Sequence, residues 1–278
     1  MKEYTKEEIE QMDYSSMVGL VRERNRPSGG IKTISTVLRN SFLTNESKVL
    51  EIGSNTGFTS VNIALLRNCN VVGIDINENS INEAKQYSSS HKVANLTNFK
   101  KCDASDLPFK SENFDLVWCS NVTSFIEDKN KTIKEYLRVL KYGGVLVVIP
   151  IYYKINPPKE VVVEVSKAIG TKIEVMSKAK WIDLFKKISK DYGTPLELYF
   201  DEDHVYLDME KEIESYVSEI LKEKPQIESM SPGIKELIKK RFKYFINLFN
   251  NNLKYCGFSI LLFQKRHITE ERELFLSN

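Results

Sequence analysis

The sequence predicts an α/β protein built around a doubly wound parallel sheet, on three observations. An apolar strand, Val49-Leu50-Glu51-Ile52, runs into a glycine turn, Gly53-Ser54-Asn55-Thr56-Gly57-Phe58. A second apolar strand, Val71-Val72-Gly73-Ile74, ends on a carboxylate, Asp75. Between Lys48 and Ile151, short apolar runs such as Val145-Leu146-Val147-Val148-Ile149 alternate with helical periods, as a parallel sheet covered on both faces requires.

The first turn points to a nucleoside. Gly53 and Gly57 admit positive φ and, lacking Cβ, let a ligand approach the backbone closely. Asp75 follows Glu51 by 24 residues, near the roughly 20-residue offset at which the acidic end of a second parallel strand takes ribose hydroxyls. The turn lacks the Gly-x-Gly-x-x-Gly spacing of a dinucleotide site. Glu51, at the strand end, repels a pyrophosphate and suits a cationic amino-acid head, which favours a sulfonium nucleoside over NAD.

With these segments in place, the chain resembles the class I S-adenosylmethionine-dependent methyltransferases. Glu51 to Gly57 is similar to the family's first motif, acidic-x-Gly-x-Gly-x-Gly, with Asn55 in place of the middle glycine; asparagine tolerates left-handed backbone better than other side chains. Asp75-Ile76 resembles the ribose-binding acid and its neighbour, and Lys101-Cys102-Asp103-Ala104 the loop after the third strand. Asn113 to Asn121 resembles the fourth strand, and Leu137 to Leu146 the helix, turn and strand that follow.

The resemblance implies a Rossmann-like, mostly parallel sheet of seven strands that binds S-adenosyl-L-methionine and transfers its methyl group. It implies a cofactor site of Glu51, Gly53, Ser54, Asn55, Gly57, Asp75, Ile76, Asp103, Ala104 and Ser120. Glu51 would face the methionyl amino group, Asp75 the ribose and Asp103 the adenine amine. Ile76 and Ala104 would flank the ring, and Ser120 would line the methionyl side. Tyr142 stands where the family often has proline, which bears on turn rigidity. Val122-Thr123-Ser124 stands where many small-molecule members carry histidines, so no base carries over.

The flanks read as helical. Thr5-Lys6-Glu7-Glu8 is a capping-box start, Pro27-Ser28-Gly29-Gly30 a break, and Ile31 to Phe42 a further helix. Residues 1–45 are expected to form an N-terminal helical cap, and 46–200 the cofactor core. Beyond Pro150, Lys159 to Ala168 and Lys178 to Ile188 read as helices and Leu196 to Phe200 as a strand. Helical periods follow at 209–223 and 233–250, then a last strand, Phe258 to Phe263. In the family's layout the last two strands form an antiparallel edge pair. Residues 201–254 are therefore expected to be a helical insertion between them, roofing the site and choosing the substrate, with 255–278 the final strand and tail.

The 278 residues, 41% hydrophobic and 28% charged, suffice for a substantial core. A formal charge of +2 from 40 basic and 38 acidic residues gives no general attraction for a polyanion, which demotes nucleic acid as a partner. Cys69, Cys102, Cys119 and Cys256 lack zinc or redox spacing, and no metal is expected. No apolar run approaches the roughly 20 residues of a membrane span, so a cytoplasmic location is expected, with oligomeric state open.

Three candidates lie outside the motifs. His204, in Asp201-Glu202-Asp203-His204, is a candidate base because imidazole titrates near neutral pH and an adjacent carboxylate can orient it; a hydrated loop is the alternative. The Asp-x-Asp spacing at 201 and 203 has too few further oxygen ligands for a cation. Arg26, after Arg22 and Arg24, is either a clamp for a substrate or cofactor carboxylate or a solvated helix end. Tyr14, like Tyr4, is either a contact over the cofactor and substrate or lid packing. The expected acceptor is an oxygen or nitrogen of a small molecule. The competing functions are protein or RNA methylation, for which Ile234 to Arg241 is a modest basic run, and a nucleoside-binding module without turnover.

Overall fold

The computed structural model describes residues 4–222 and 224–267. In chain order its elements are α1 (Lys6–Gln11), α2 (Tyr14–Val21), α3 (Gly30–Asn40), β1 (Lys48–Ile52), α4 (Phe58–Arg67), β2 (Asn70–Asp75), α5 (Glu78–Ser90), β3 (Thr97–Lys101) and β4 (Phe114–Cys119). A 3-10 turn (Asn121–Phe125) leads to α6 (Lys129–Val139), β5 (Leu140–Val148), β6 (Ile151–Tyr153), α7 (Lys159–Ile169), α8 (Lys178–Asp191) and β7 (Leu196–Val205). The chain continues through α9 (Ile213–Leu221), α10 (Pro225–Glu228), α11 (Pro232–Leu253) and β8 (Cys256–Lys265).

The sheet runs β3-β2-β1-β4-β5-β8-β6, with β7 also paired to β8. Strands β1 to β5 pair in parallel, and β8 is antiparallel to β5 and β6. The sheet has eight segments where seven strands are expected, and the register explains the difference. Val148 pairs with Leu261 and Ile151 with Phe258, so β5 and β6 keep one register along β8. The break falls at Ile149-Pro150: the Ile149 amide still closes the β4–β5 ladder on the Cys119 carbonyl (3.2 Å), and the proline after it has no N–H to continue.

The chain forms two compact units, Met1–Asn25 with Ile151–Ser177 and His204–Phe258, and Arg26–Pro150 with Lys178–Asp203 and Ser259–Asn278. In the second, β1 and β4 are buried apolar runs (Val49, Leu50, Leu116, Val117, Trp118) because helices cover both faces. Helix α3 packs on α4, and α6 on α8.

The first unit is helical around α11, whose Ile238, Phe242 and Phe245 fall on one stripe at helical spacing. They bury against Ile9, Met17, Val165, Ile213 and Val217. Thr5 and Glu8 form the expected capping box, and Asp13 caps α2 through the Ser16 amide (2.7 Å).

This division departs from the boundaries read in the sequence. Helix α3 belongs with the sheet, whereas α1, α2 and α7 share a core with α9 and α11. The stretch 201–254 is not helical from its start, because β7 continues to Val205. The polar residues Asp201 to Asp203 alternate along a strand in place of forming the hydrated loop of the alternative.

Candidate cofactor site

Parallel strands bring the candidate residues together. Glu51 pairs with Gly73 on one side and Trp118 on the other, and Asp75 pairs with Lys101. Glu51, Asp75, Asp103 and Ser120 therefore stand in or just beyond the carboxyl ends of β1, β2, β3 and β4. The order reverses between β1 and β4, where doubly wound sheets bind ligands.

The turn after β1 is wound left-handed three times, with φ of 70° at Gly53, 44° at Asn55 and 84° at Gly57. The Ser54 amide donates to the Ile74 carbonyl and the Gly57 amide to the Ser54 carbonyl, both at 2.8 Å. Asn55 does what a glycine would, and its Oδ1 also accepts from the Thr56 amide (2.7 Å).

The glycines have a second reason that the motif does not reveal. A Cβ on Gly53 would meet Val122 Cγ2 at 2.7 Å, and one on Gly57 would meet Ala84 Cβ at 2.9 Å. Neighbouring side chains occupy those positions, so part of what was expected to be clearance for a ligand is clearance for the protein itself.

Glu51 is 4% exposed. Its Oε2 accepts from the Ser60 amide (2.9 Å) and the Ser60 hydroxyl (2.5 Å) at the start of α4. Burial pushes its carboxyl up to about 7, against the pull of hydrogen bonds from Ser60 and Thr59.

Asp75 is shared between two loops: Oδ2 accepts from the Asn55 amide and Oδ1 from the Asn77 amide, both at 2.9 Å. Asp103 accepts from the Ser105 amide (2.7 Å), and that bond holds its carboxyl below the usual range. Ala104 is buried, whereas Ile76 is 72% exposed.

Sequence reasoning missed four residues that hold these in place. Glu135 accepts from the Leu107 amide (2.8 Å) and Arg138 donates to the Phe109 and Leu107 carbonyls (2.7 and 2.9 Å), pinning the loop after β3. Ser60 and Val122 are the others. The helical spacing of Glu135 and Arg138 on α6 was a signal for their mutual ion pair, but nothing local marked the loop as its target.

The other candidates are placed differently. Arg26 is exposed, with its guanidinium over the ring of Phe58 at 5.4 Å, immediately after Gly57. Tyr14 meets Phe245 and Phe249 edge-on at 5.7 and 4.5 Å, and burial pushes its phenol up to about 12. His204 stacks on Phe258 at 4.7 Å.

In the strand, His204 shares a face with Glu202 and not with Asp203. Asp203 instead takes a hydrogen bond from Ser259 (2.5 Å), and Lys178 bridges Asp201 and Asp203 at 2.6 Å each. Among the described residues, no cluster of His, Cys, Asp and Glu is arranged to hold a metal.

The donor set fits a sulfonium nucleoside. Asp75 and Asp103 offer carboxylates for hydroxyl and amine donors, and Ile76 offers an uncovered apolar face. The Thr56 hydroxyl is buried and has no hydrogen-bond partner among the described residues, and the turn provides no three-glycine cradle for a pyrophosphate. This fold with this site defines a Rossmann-like methyltransferase core.

Residues 43–198 match the family model described as a methyltransferase domain, and the chain belongs to that family of S-adenosylmethionine-dependent enzymes, with S-adenosylmethionine as cofactor. It is 27% identical over 180 residues to an uncharacterised protein of Haemophilus influenzae, covering 64% of this chain and 71% of that one. It is 29% identical over 125 residues to the chloroplastic tocopherol O-methyltransferase of Arabidopsis thaliana, 43% of this chain and 36% of that enzyme's length. Its fold is similar to that of the MccD protein, with a TM-score of 0.72 at 21% identity over 87% of this chain and 100% of that one. No helix among the described residues is long and apolar enough to cross a membrane.

Proposed function

We propose that the protein transfers the methyl group of S-adenosylmethionine to an oxygen or nitrogen of a small-molecule acceptor. The observation that carries the site is the row of Glu51, Asp75, Asp103 and Ser120 at adjacent strand ends. Glu51 takes the methionyl ammonium group, Asp75 the ribose diol and Asp103 the adenine amine. Ile76 and Ala104 flank the ring, the turn from Gly53 to Gly57 supports the methionyl and ribose portions, and Ser120 lies on the methionyl side. Arg26, over Phe58 at the start of α4, supplies a positive charge suited to a carboxylate.

When bound, the cofactor supplies an electrophilic methyl on a cationic sulfur. The protein's part is positioning and exclusion of water: transfer disperses charge, so a dry, aligned site favours it. A base is needed only where the acceptor begins protonated.

A small acceptor is supported by the near-neutral charge and by the name of the tocopherol relative. Two of the four cations in the basic run of α11 are engaged within the helical unit: Lys239 pairs with Glu214 (2.7 Å), and Arg241 donates to the Met12 carbonyl (2.8 Å). That weakens the run as a site for a polyanion.

The test is incubation with methyl-labelled S-adenosylmethionine and separated metabolite, protein and RNA fractions. Label in the metabolite fraction supports the proposal. Label confined to protein or RNA, or none in any fraction, contradicts it.

A further inference from the structure

Glu51 reaches across from β1 to do for α4 what a capping side chain does. The N-cap of α4 is Gly57, which has no side chain to give, and Ser60, the third residue of the helix, is fully buried. Both Ser60 bonds end on the same carboxylate oxygen, while the Thr59 hydroxyl adds another bond to the carboxylate. From α4, then, Glu51 meets two hydroxyls, an amide and the positive end of the helix. From β2 it feels the negative charge of Asp75, and its register partners Gly73 and Trp118 are uncharged.

We propose that Ser60 is a positioning residue for cofactor binding: its amide and hydroxyl, both on Glu51 Oε2, aim that side chain and favour its carboxylate form, the form that meets an ammonium group. This rests on the assignment of Glu51 to the methionyl ammonium group. An ammonium is met well by a carboxylate and poorly by a neutral carboxyl. Burial leaves Glu51 partly protonated in the free protein, so the cofactor selects the ionised form and a proton departs to solvent. The Ser60 hydroxyl favours that form. Removing it raises the pH at which tight binding begins and leaves the limiting affinity at high pH close to that of the parent.

The test is calorimetric titration of the full chain with S-adenosylhomocysteine, which keeps the methionyl ammonium group. It is run from about pH 6 to about pH 8.5, spanning neutrality, in buffers of different ionisation enthalpy. In the parent, affinity should rise up to tenfold per pH unit and then level off, with proton release at the acidic end. In Ser60→Ala the midpoint should move up by about one unit, the equivalent of one charge-assisted hydrogen bond. In Glu51→Gln the profile should lose this dependence.

A parent profile that is flat and releases no proton would overturn the proposal. So would a Ser60→Ala variant, folded by circular dichroism, that loses the same factor at every pH. Failure of the folded parent to bind at any pH would instead overturn the site assignment itself.

Discussion

Asp75 and Asn55 are joined by a 2.9 Å hydrogen bond, amide to carboxylate, across 20 residues of sequence. The acid at the end of β2 therefore shapes the turn after β1 as well as offering itself to a ribose. A substitution at either residue acts on both features.

Asn55→Val should destabilise the protein by about 2 kcal/mol, because a β-branched residue is strained at positive φ and the Thr56 amide loses its acceptor. Asn55→Gly should lie between that variant and the parent, since glycine adopts that backbone freely but also takes the Oδ1 acceptor from the Thr56 amide. Urea denaturation of the three proteins checks the order.

Gly53→Ala should cost roughly 2–4 kcal/mol, combining positive φ with the collision against Val122. Val122→Ala removes the Cγ2 that lies nearest. Placed in the Gly53→Ala background it should therefore recover part of the loss. A double-mutant cycle with strictly additive effects would rule out this contact as the second reason for the glycine.

Glu51 gives a pH dependence of definite sign. Its carboxyl is raised from 4.5 to about 7 in the folded protein, so between those values the folded state holds a proton that the unfolded state has lost. The stability this group contributes is therefore fully present below 4.5 and is lost as pH rises to about 7. Glu51→Gln removes that slope, so its stability relative to the parent should rise with pH by about 3 kcal/mol across the window. Denaturation midpoints of the pair from pH 4 to pH 8 (roughly the two pKa values and a margin) measure the difference.

Lys265 is buried, donating to the Leu137 and Leu140 carbonyls (2.8 and 2.7 Å) and lying 4.2 Å from the ring centre of Tyr142. Tyr142, read from the sequence as a matter of turn rigidity, is thus also a packing surface for this cation. Lys265→Met fills similar volume but leaves both carbonyls without this donor, and should cost about 2 kcal/mol in thermal or urea unfolding.

The sheet and the nucleoside-type turn were legible because buried parallel strands write themselves as apolar runs and left-handed turns select glycine or asparagine. The interruption at Ile149-Pro150 was less so, since Val145 to Tyr153 is apolar almost throughout and Pro150, which has no N–H for the ladder, is its one local mark. The extension of β7 was not: Asp201 to His204 carries no apolar period, and its strand character comes from pairing with β8. The supports of Glu51 and of the loop after β3 come from Ser60, Glu135 and Arg138, each many residues away. A single sequence does not display such tertiary pairings.

Titration calorimetry with S-adenosylmethionine and NAD, on the parent and Asp75→Ala, tests the central claim most directly. S-adenosylmethionine should bind and NAD should not. Asp75→Ala should lose roughly 100-fold in affinity, the equivalent of two charge-assisted hydrogen bonds. Binding of NAD in preference, or equal S-adenosylmethionine affinity in the parent and Asp75→Ala, would contradict the account.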